Sequence, residues 1–216
     1  VVDLHVNEES SVISLNVNNI NLESGKLLTK GGELIEEISK ENMEVVAADE
    51  VLKLTLQKPL SAGQDGFYRS HFKNEETGEE KVMACTQFQA TDARMAFPCW
   101  DEPVLKATFD ITLEVPQNVT ALSNMNAISE ENIEENLKRV SFATTPIIST
   151  YLLAFIAAEL DYIEAFTTVG TPIPCRVYAP KGTAQQGKFS LDICTRTLDL
   201  FNTVFGSPYP LPKMDM

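Results

Sequence analysis

Apolar and polar residues alternate with a period of two along most of the first 180 residues, and no other feature constrains the fold as strongly. Residues 13–17 and 109–115 alternate in this way, and turn-forming sequences such as residues 63–66 (GQDG) separate such runs. Because successive side chains on a strand point to opposite faces, this alternation is typical of half-buried strands. The sequence therefore predicts a mainly β fold with no long amphipathic helix before Ala179.

Two stretches depart from simple alternation. Residues 147–158 (IISTYLLAFIAA) form the longest apolar run, which is well short of the roughly 20 residues that span a bilayer. We expect this run to be a buried strand. Residues 130–138 (EENIEENLK) would tolerate a helix, but their charge favours an acidic loop.

The apolar spacing changes to three and four after Pro180, which indicates one amphipathic helix. Thr183 and Gln186 match a capping box, and Gly206 with Pro208 supplies a stop, so the predicted helix runs from Thr183 to Phe205. Its broad apolar face needs a partner. The face contains Leu191, Cys194, Leu198, Phe201 and Phe205.

Charge and cysteine content restrict the partners and the compartment. The net charge of -14 disfavours nonspecific binding to nucleic acid or to anionic membranes, since phosphate groups would be repelled. The four cysteines have irregular spacings and no CxxC pair, so we expect reduced, structural thiols. No segment is predicted to span a membrane, and the chain is predicted to be cytoplasmic.

Familiar catalytic motifs are missing from these 216 residues. His5 and His71 are the only histidines, and neither belongs to a His-Glu-x-x-His zinc motif; no GxSxG elbow or phosphate loop occurs. Asp101 and Glu102 are adjacent, which favours a surface or capping role over acid–base catalysis. Taken alone, the chain carries no complete active site.

One stretch, residues 86–103 (TQFQATDARMAFPCWDEP), differs from the alternating runs around it. If it begins as a strand, Gln87 and Gln89 project from one face and Phe88 from the other. Two exposed amides could bind the ammonium or carbonyl groups of a ligand. They could equally bond across the sheet, and the pattern alone favours that structural role.

The same stretch, taken from Cys85 to Pro103, resembles the signature of the N-terminal domain of zinc aminopeptidases related to aminopeptidase N and puromycin-sensitive aminopeptidase. Five further segments stand in the order found in that family, so the resemblance covers essentially the whole chain. They are residues 66–70 (GFYRS), 106–109 (KATF), 149–155 (STYLLAF), 176–179 (RVYA) and 209–213 (YPLPK).

The resemblance implies a large, largely antiparallel, sandwich-like β-saddle domain over residues 1–179, with its first strands preceding Val1. Residues 180–216 would begin a thermolysin-like catalytic domain, and the helix would be its first. The exopeptidase motif and the zinc ligands would follow Met216, so this chain alone would bind no zinc and be inactive.

The activity implied is zinc-dependent release of N-terminal amino acids from peptides. By position in the signature, Gln89 would contact the free α-amine of the substrate, and Gln87 would line the pocket for its first side chain. The resemblance gives the remaining signature residues structural roles. Arg94 and Asp101 would be buried or half-buried polar ties, and Phe97, Pro98 and Trp100 would pack the corner.

Partners implied by the resemblance are peptides with a free N-terminus and the remaining catalytic and C-terminal domains of the same polypeptide. Two alternatives stay open. The parent protein could be a noncatalytic relative that acts as an interaction scaffold. The 216 residues could also form a free-standing β-rich binding module, which requires the helix to close on the β domain itself.

Overall fold

The computed structural model describes residues 2–3, 15–18, 20–29, 33–38, 50–57, 60–74 and 77–216. His5 and Ile13 lie outside these residues. Within the described part the chain is mainly β, as predicted, with strands in several sheets and a single α-helix near the C-terminus. No helix there is long and apolar enough to cross a bilayer.

Sixteen strands and one α-helix are found in the described residues. In chain order they are β1 (Val2–Asp3), β2 (Asn21–Thr29), β3 (Leu34–Ile38), β4 (Glu50–Gln57), β5 (Gly66–Lys73), β6 (Glu80–Gln87), β7 (Lys106–Ala107), β8 (Thr112–Pro116), β9 (Thr120–Ser123), β10 (Ala127–Glu134), β11 (Leu137–Phe142), β12 (Ile148–Ser149), β13 (Phe155–Ala158), β14 (Leu160–Phe166), β15 (Pro174–Pro180), α1 (Lys188–Phe205) and β16 (Met214–Asp215).

The chain divides into two compact units, each built from several segments. The first unit contains Val1–Tyr68, Thr86–Asp110 and Pro146–Leu153. It holds an antiparallel sheet of order β1-β4-β2-β3 and the short antiparallel pair β12-β7.

The second unit contains Arg69–Cys85, Ile111–Thr145 and Ala154–Met216. It holds the antiparallel sheet β10-β11-β8 and the sheet β14-β15-β16, in which β16 runs parallel to β15. In the sheet of order β5-β6-β13-β9, Ala84 and Cys85 pair with β13 inside this unit. The domain boundary predicted between residues 179 and 180 stays a prediction.

Helix α1 packs on β14 and β15 through only part of the apolar face that its spacing predicts, since Phe201 and Phe205 of that face are exposed. Leu191 and Cys194 are buried against Cys175 and Val177 of β15. The helix ends at Phe205, as predicted, because Gly206 adopts a left-handed conformation with φ of 61°. Several apolar residues of α1 remain exposed, namely Phe189, Ile193, Leu200, Phe201, Val204 and Phe205.

The predicted start of this helix at Thr183 is wrong. A 3-10 turn covers Ala184–Gly187, and the α-helix begins at Lys188 with no side-chain cap. The hydroxyl of Thr183 instead donates to the carbonyl oxygen of Pro180 at 2.6 Å. This local bond replaces the capping-box interaction, since the hydroxyl turns toward the preceding residues.

The acidic loop predicted over residues 130–138 is also wrong, because these residues belong to the β10–β11 hairpin. Nearly every side chain of β10 is exposed, so its glutamates keep their contact with water while the backbone pairs with β11. Lys138 lies opposite Asn132 and its Nζ contacts Glu130 Oε1 at 2.9 Å.

Residues 147–158 do not form one buried strand, as the apolar run predicts. They form β12, a 3-10 turn at Thr150–Leu152, and β13. The interruption falls at two buried hydroxyls that need hydrogen-bond partners. Ser149 donates to the carbonyl oxygen of Pro103, and Thr150 donates to Asp101.

Candidate functional site

Strand β6 ends at Gln87, and the chain then enters the turn that carries both candidate glutamines. Gln87 and Gln89 are exposed, whereas Phe88 between them is only 2% exposed. Because β6 ends at Gln87, Gln89 lies beyond the strand. Its side chain is nevertheless exposed like that of Gln87. The signature places two amides at the surface on either side of a buried aromatic ring.

The turn that presents Gln89 is closed by backbone hydrogen bonds. The Asp92 amide donates to the Phe88 carbonyl oxygen at 2.9 Å, and a 3-10 helix follows over Ala93–Met95. The peptide bond between Gln89 and Ala90 is cis. Gln87 Nε2 donates to the Gln89 carbonyl oxygen at 3.5 Å, which is a local bond and not a bond across the sheet.

Aromatic packing fixes the first end of the turn. The ring of Phe88 meets Phe97 edge-on at a centroid distance of 5.9 Å, and Phe97 meets Phe109 in the same way at 6.2 Å. Edge-to-face contacts at these distances are favourable beyond the area they bury. The packing role predicted for Phe97 is confirmed.

A buried carboxylate fixes the other end. Asp101 Oδ2 accepts hydrogen bonds from the Arg94 backbone amide at 3.2 Å and from Arg94 Nε at 3.0 Å. The Asp101 carbonyl oxygen accepts a third bond from Arg94 at 3.1 Å. The polar tie between these residues is thus confirmed. Of the surface or capping role expected for Asp101, the surface part is wrong, since its side chain is 1% exposed, but its carboxylate does accept from a backbone amide of the 3-10 helix. Glu102 is exposed.

Two partners of Asp101 come from distant parts of the chain. Thr150 Oγ1 donates to Asp101 Oδ1 at 2.7 Å, and the Asp101 backbone amide donates to Asn16 Oδ1 at 3.1 Å. Asn16 also forms an antiparallel bridge with Cys99. The sequence pattern did not identify Asn16 or Thr150, because nothing local to either residue indicates that it meets the signature.

All four cysteines are free and buried, which agrees with structural thiols. Burial raises the pKa of Cys99 to about 12, and the negative charge of Asp101 adds to the effect while Arg94 opposes it. Burial likewise raises the pKa of Cys175 to about 12. Thiols with such pKa values are protonated at neutral pH and are poor nucleophiles or metal ligands.

Among the described residues, no cluster of three His, Cys, Asp or Glu side chains could hold a metal ion. A zinc ion therefore has no ligand set in this part of the chain. His71 is exposed on β5 and the adjacent Ser70 is half-buried, as expected for neighbours on opposite faces of a strand. The polar groups that this site presents are the exposed side-chain amides of Gln87 and Gln89 on an anchored turn.

Comparison with known proteins then gives the family. The family profile described as Peptidase M1 N-terminal domain matches residues 1–152. This chain belongs to the M1 peptidase family.

Three M1 relatives illustrate the similarity. Aminopeptidase M1 of Arabidopsis thaliana is 54% identical over 166 residues, covering 77% of this chain and 18% of that protein. Aminopeptidase M1-A of Oryza sativa subsp. japonica is 42% identical over 230 aligned residues, and puromycin-sensitive aminopeptidase of Caenorhabditis elegans is 39% identical over 233. Both alignments cover all of this chain but only 26% and 24% of the relatives. The M1 chain thus spans about a quarter of their length.

Proposed function

We propose that this chain is the N-terminal part of a zinc-dependent aminopeptidase, in which Gln89 helps to bind the free α-amine of a peptide substrate. Residues 1–179 would form the β-saddle domain, and residues 180–216 would begin the thermolysin-like catalytic domain. The names of the M1 relatives support the activity, since each is an aminopeptidase. We also propose a cytoplasmic location for the parent protein.

The observation that carries the proposal is the exposed position of Gln89 on a turn that is anchored at both ends. A glutamine side-chain oxygen can accept a hydrogen bond from an ammonium group without placing another charge in the cleft. A hydrogen bond to a charged group contributes roughly 1.5 to 3 kcal/mol. Gln87, exposed beside it, would line the pocket for the first side chain of the peptide.

Zinc would supply the polarised carbonyl and the activated water of such a reaction. Its ligands would belong to other residues of the longer protein, because the described residues offer no suitable cluster. The contribution of this chain is confined to binding and orienting the substrate's N-terminus. Alone, the 216 residues should release no arylamine from an aminoacyl-arylamide and bind no stoichiometric zinc.

The remaining catalytic and C-terminal domains of the same polypeptide are the proposed partners of this segment. The exposed apolar residues of α1, which include Phe189, Leu200 and Val204, support a contact of this kind. The packing of α1 on β14 and β15 also meets the requirement for a free-standing binding module. The relatives' names favour the aminopeptidase over that alternative.

The test uses the full-length protein that carries this chain. Gln89→Ala should lower kcat/KM for an unblocked peptide by about tenfold to a hundredfold, since about 1.4 kcal/mol corresponds to a factor of ten. Gln89→Glu keeps an acceptor at the same place and should retain most of the activity. Gln87→Ala serves as a comparison, because its effect should depend on the first side chain of the peptide. An unchanged kcat/KM for Gln89→Ala would remove this residue from the site.

A further inference from the structure

We infer that Asp101 is a positioning residue for Gln89, in addition to stabilising the fold. Its carboxylate fixes the 3-10 helix that follows the turn, and the turn then presents the glutamine in one geometry. This inference rests on the function proposed for Gln89. Asp101 does not itself touch the substrate, and it acts through the position of the turn.

Asp101 is attached to the backbone of the 3-10 helix by hydrogen bonds. Its Oδ2 atom accepts from the amide of Arg94, in the middle of that helix, as well as from the Arg94 side chain. The carbonyl oxygen of Arg94 in turn accepts from the Asn18 amide at 2.9 Å. Both backbone groups of Arg94 are thus held by residues outside the helix.

Backbone hydrogen bonds of the turn connect Arg94 to the segment that carries Gln89. The Asp92 amide bonds to the Phe88 carbonyl oxygen, and the Met95 amide bonds to the Asp92 carbonyl oxygen at 3.0 Å. Residues 89–91 therefore form a short exposed excursion between buried Phe88 and the anchored helix. A shift of the 3-10 helix must move residues 89–91 as well, because only one residue separates this segment from the helix and cannot absorb the shift.

The hydrogen bonds around Asp101 specifically require a carboxylate. The two side-chain oxygens of Asp101 accept from three donors, namely the Arg94 amide, Arg94 Nε and the Thr150 hydroxyl. Asparagine has the same shape but replaces one oxygen with an NH₂ group, which would face a donor. A buried donor without an acceptor is costly, so the helix should shift to relieve the conflict.

The experiment is a double-mutant cycle in the full-length protein, measured as kcat/KM for an unblocked aminoacyl-arylamide. Asp101→Asn alone should lower kcat/KM about tenfold, mainly through KM, because it displaces the amine contact. In a Gln89→Ala background the same substitution should cost less than about twofold, since the contact is already absent.

A purely structural role would give a different result. Loss of folded enzyme lowers kcat by the same factor in both backgrounds, so additive losses would overturn the positioning role while leaving Gln89 in the site. If Gln89→Ala by itself leaves kcat/KM unchanged, the proposed function is overturned, and this inference with it. The two failures are therefore distinguishable within one set of four proteins.

Two further variants keep the test decisive. Glu164→Gln breaks the ion pair in which Arg176 Nε lies 2.7 Å from Glu164 Oε1, and it should leave kcat/KM within about twofold of the parent value. If Asp101→Asn does not fold, Thr150→Val removes a single donor from the same carboxylate. It should show a smaller loss of kcat/KM with the same non-additivity toward Gln89→Ala, and additive losses would again overturn the inference.

Discussion

Replacing Phe88 with alanine should destabilise the first compact unit more than any other truncation in the signature. Phe88 is one of the two largest fully buried side chains among the described residues, and its ring meets Phe97 edge-on. It also separates the two exposed glutamines, so its packing sets the first end of the turn. The substitution removes a buried ring and leaves a cavity beside Phe97.

The expected magnitude follows from burial. Phenylalanine-to-alanine changes in a core cost about 3 to 5 kcal/mol, which combines lost transfer free energy with the cost of the cavity. The edge-to-face contact contributes about 0.5 to 1.5 kcal/mol of the free energy of unfolding. With an m-value of about 2 kcal/mol/M, the urea midpoint should fall by roughly 2 M.

The assay is urea unfolding of the 216-residue chain followed by the fluorescence of Trp100. This is the single tryptophan of the chain and it belongs to the same compact unit as Phe88. Val104→Ala is the control within that unit, and Phe189→Ala repeats the same chemical change at an exposed site. These residues are 78% and 77% exposed, so each change should stay within about 0.5 kcal/mol. A loss below about 1 kcal/mol for Phe88→Ala would refute the packing argument.

Two further predictions concern stability. Because the pKa values of Cys99 and Cys175 are raised by burial from 9.0 to about 12, the unfolded thiols ionise first on raising the pH. The free energy of unfolding should be level below about pH 8 and fall by about 1.4 kcal/mol per thiol at pH 10, and a urea midpoint that stays constant from pH 8 to about pH 10 would contradict this prediction. Gly66→Ala should cost more than Gly206→Ala in thermal unfolding. Both glycines have positive φ, which costs about 1 kcal/mol, but only at Gly66 would the new Cβ lie 2.8 Å from Met95 Cβ. Equal losses would contradict the steric argument.

The sequence predicts best those features that depend on near neighbours. The end of α1 at Gly206 follows from one glycine and is confirmed. The apolar face predicted from spacing is confirmed for Leu191, Cys194 and Leu198 but is wrong for Phe201 and Phe205, which are exposed. The start of α1 was missed because Thr183 had two local options, and its hydroxyl bonds the Pro180 carbonyl oxygen. The match to a capping-box sequence does not tell which of these two hydrogen bonds has the lower free energy.

Features that depend on distant pairing could not be predicted from the pattern. Strand β10 exposes nearly all of its side chains, so neither face has to be apolar. Its sequence therefore lacks the alternation of apolar and polar residues by which a half-buried strand is recognised. The Asp101 network joins Asn16 and Thr150, which lie 85 and 49 residues away along the chain. The residue pattern drew attention to Gln87 and Gln89 but favoured a structural role, and only the family resemblance assigned Gln89 to the α-amine of a substrate. The exposure of Gln89 on an anchored turn depends on the buried residues around it, which the pattern does not give.

The most direct test of the central claim compares two inhibitors of the full-length protein, one carrying an α-amine and one identical but lacking it. If Gln89 accepts a hydrogen bond from the ammonium, Gln89→Ala should raise the inhibition constant of the amine about tenfold to a hundredfold. The constant of the des-amino compound should not change. An equal effect on both compounds, or no effect on either, would contradict the proposed recognition of the substrate's N-terminus by this chain.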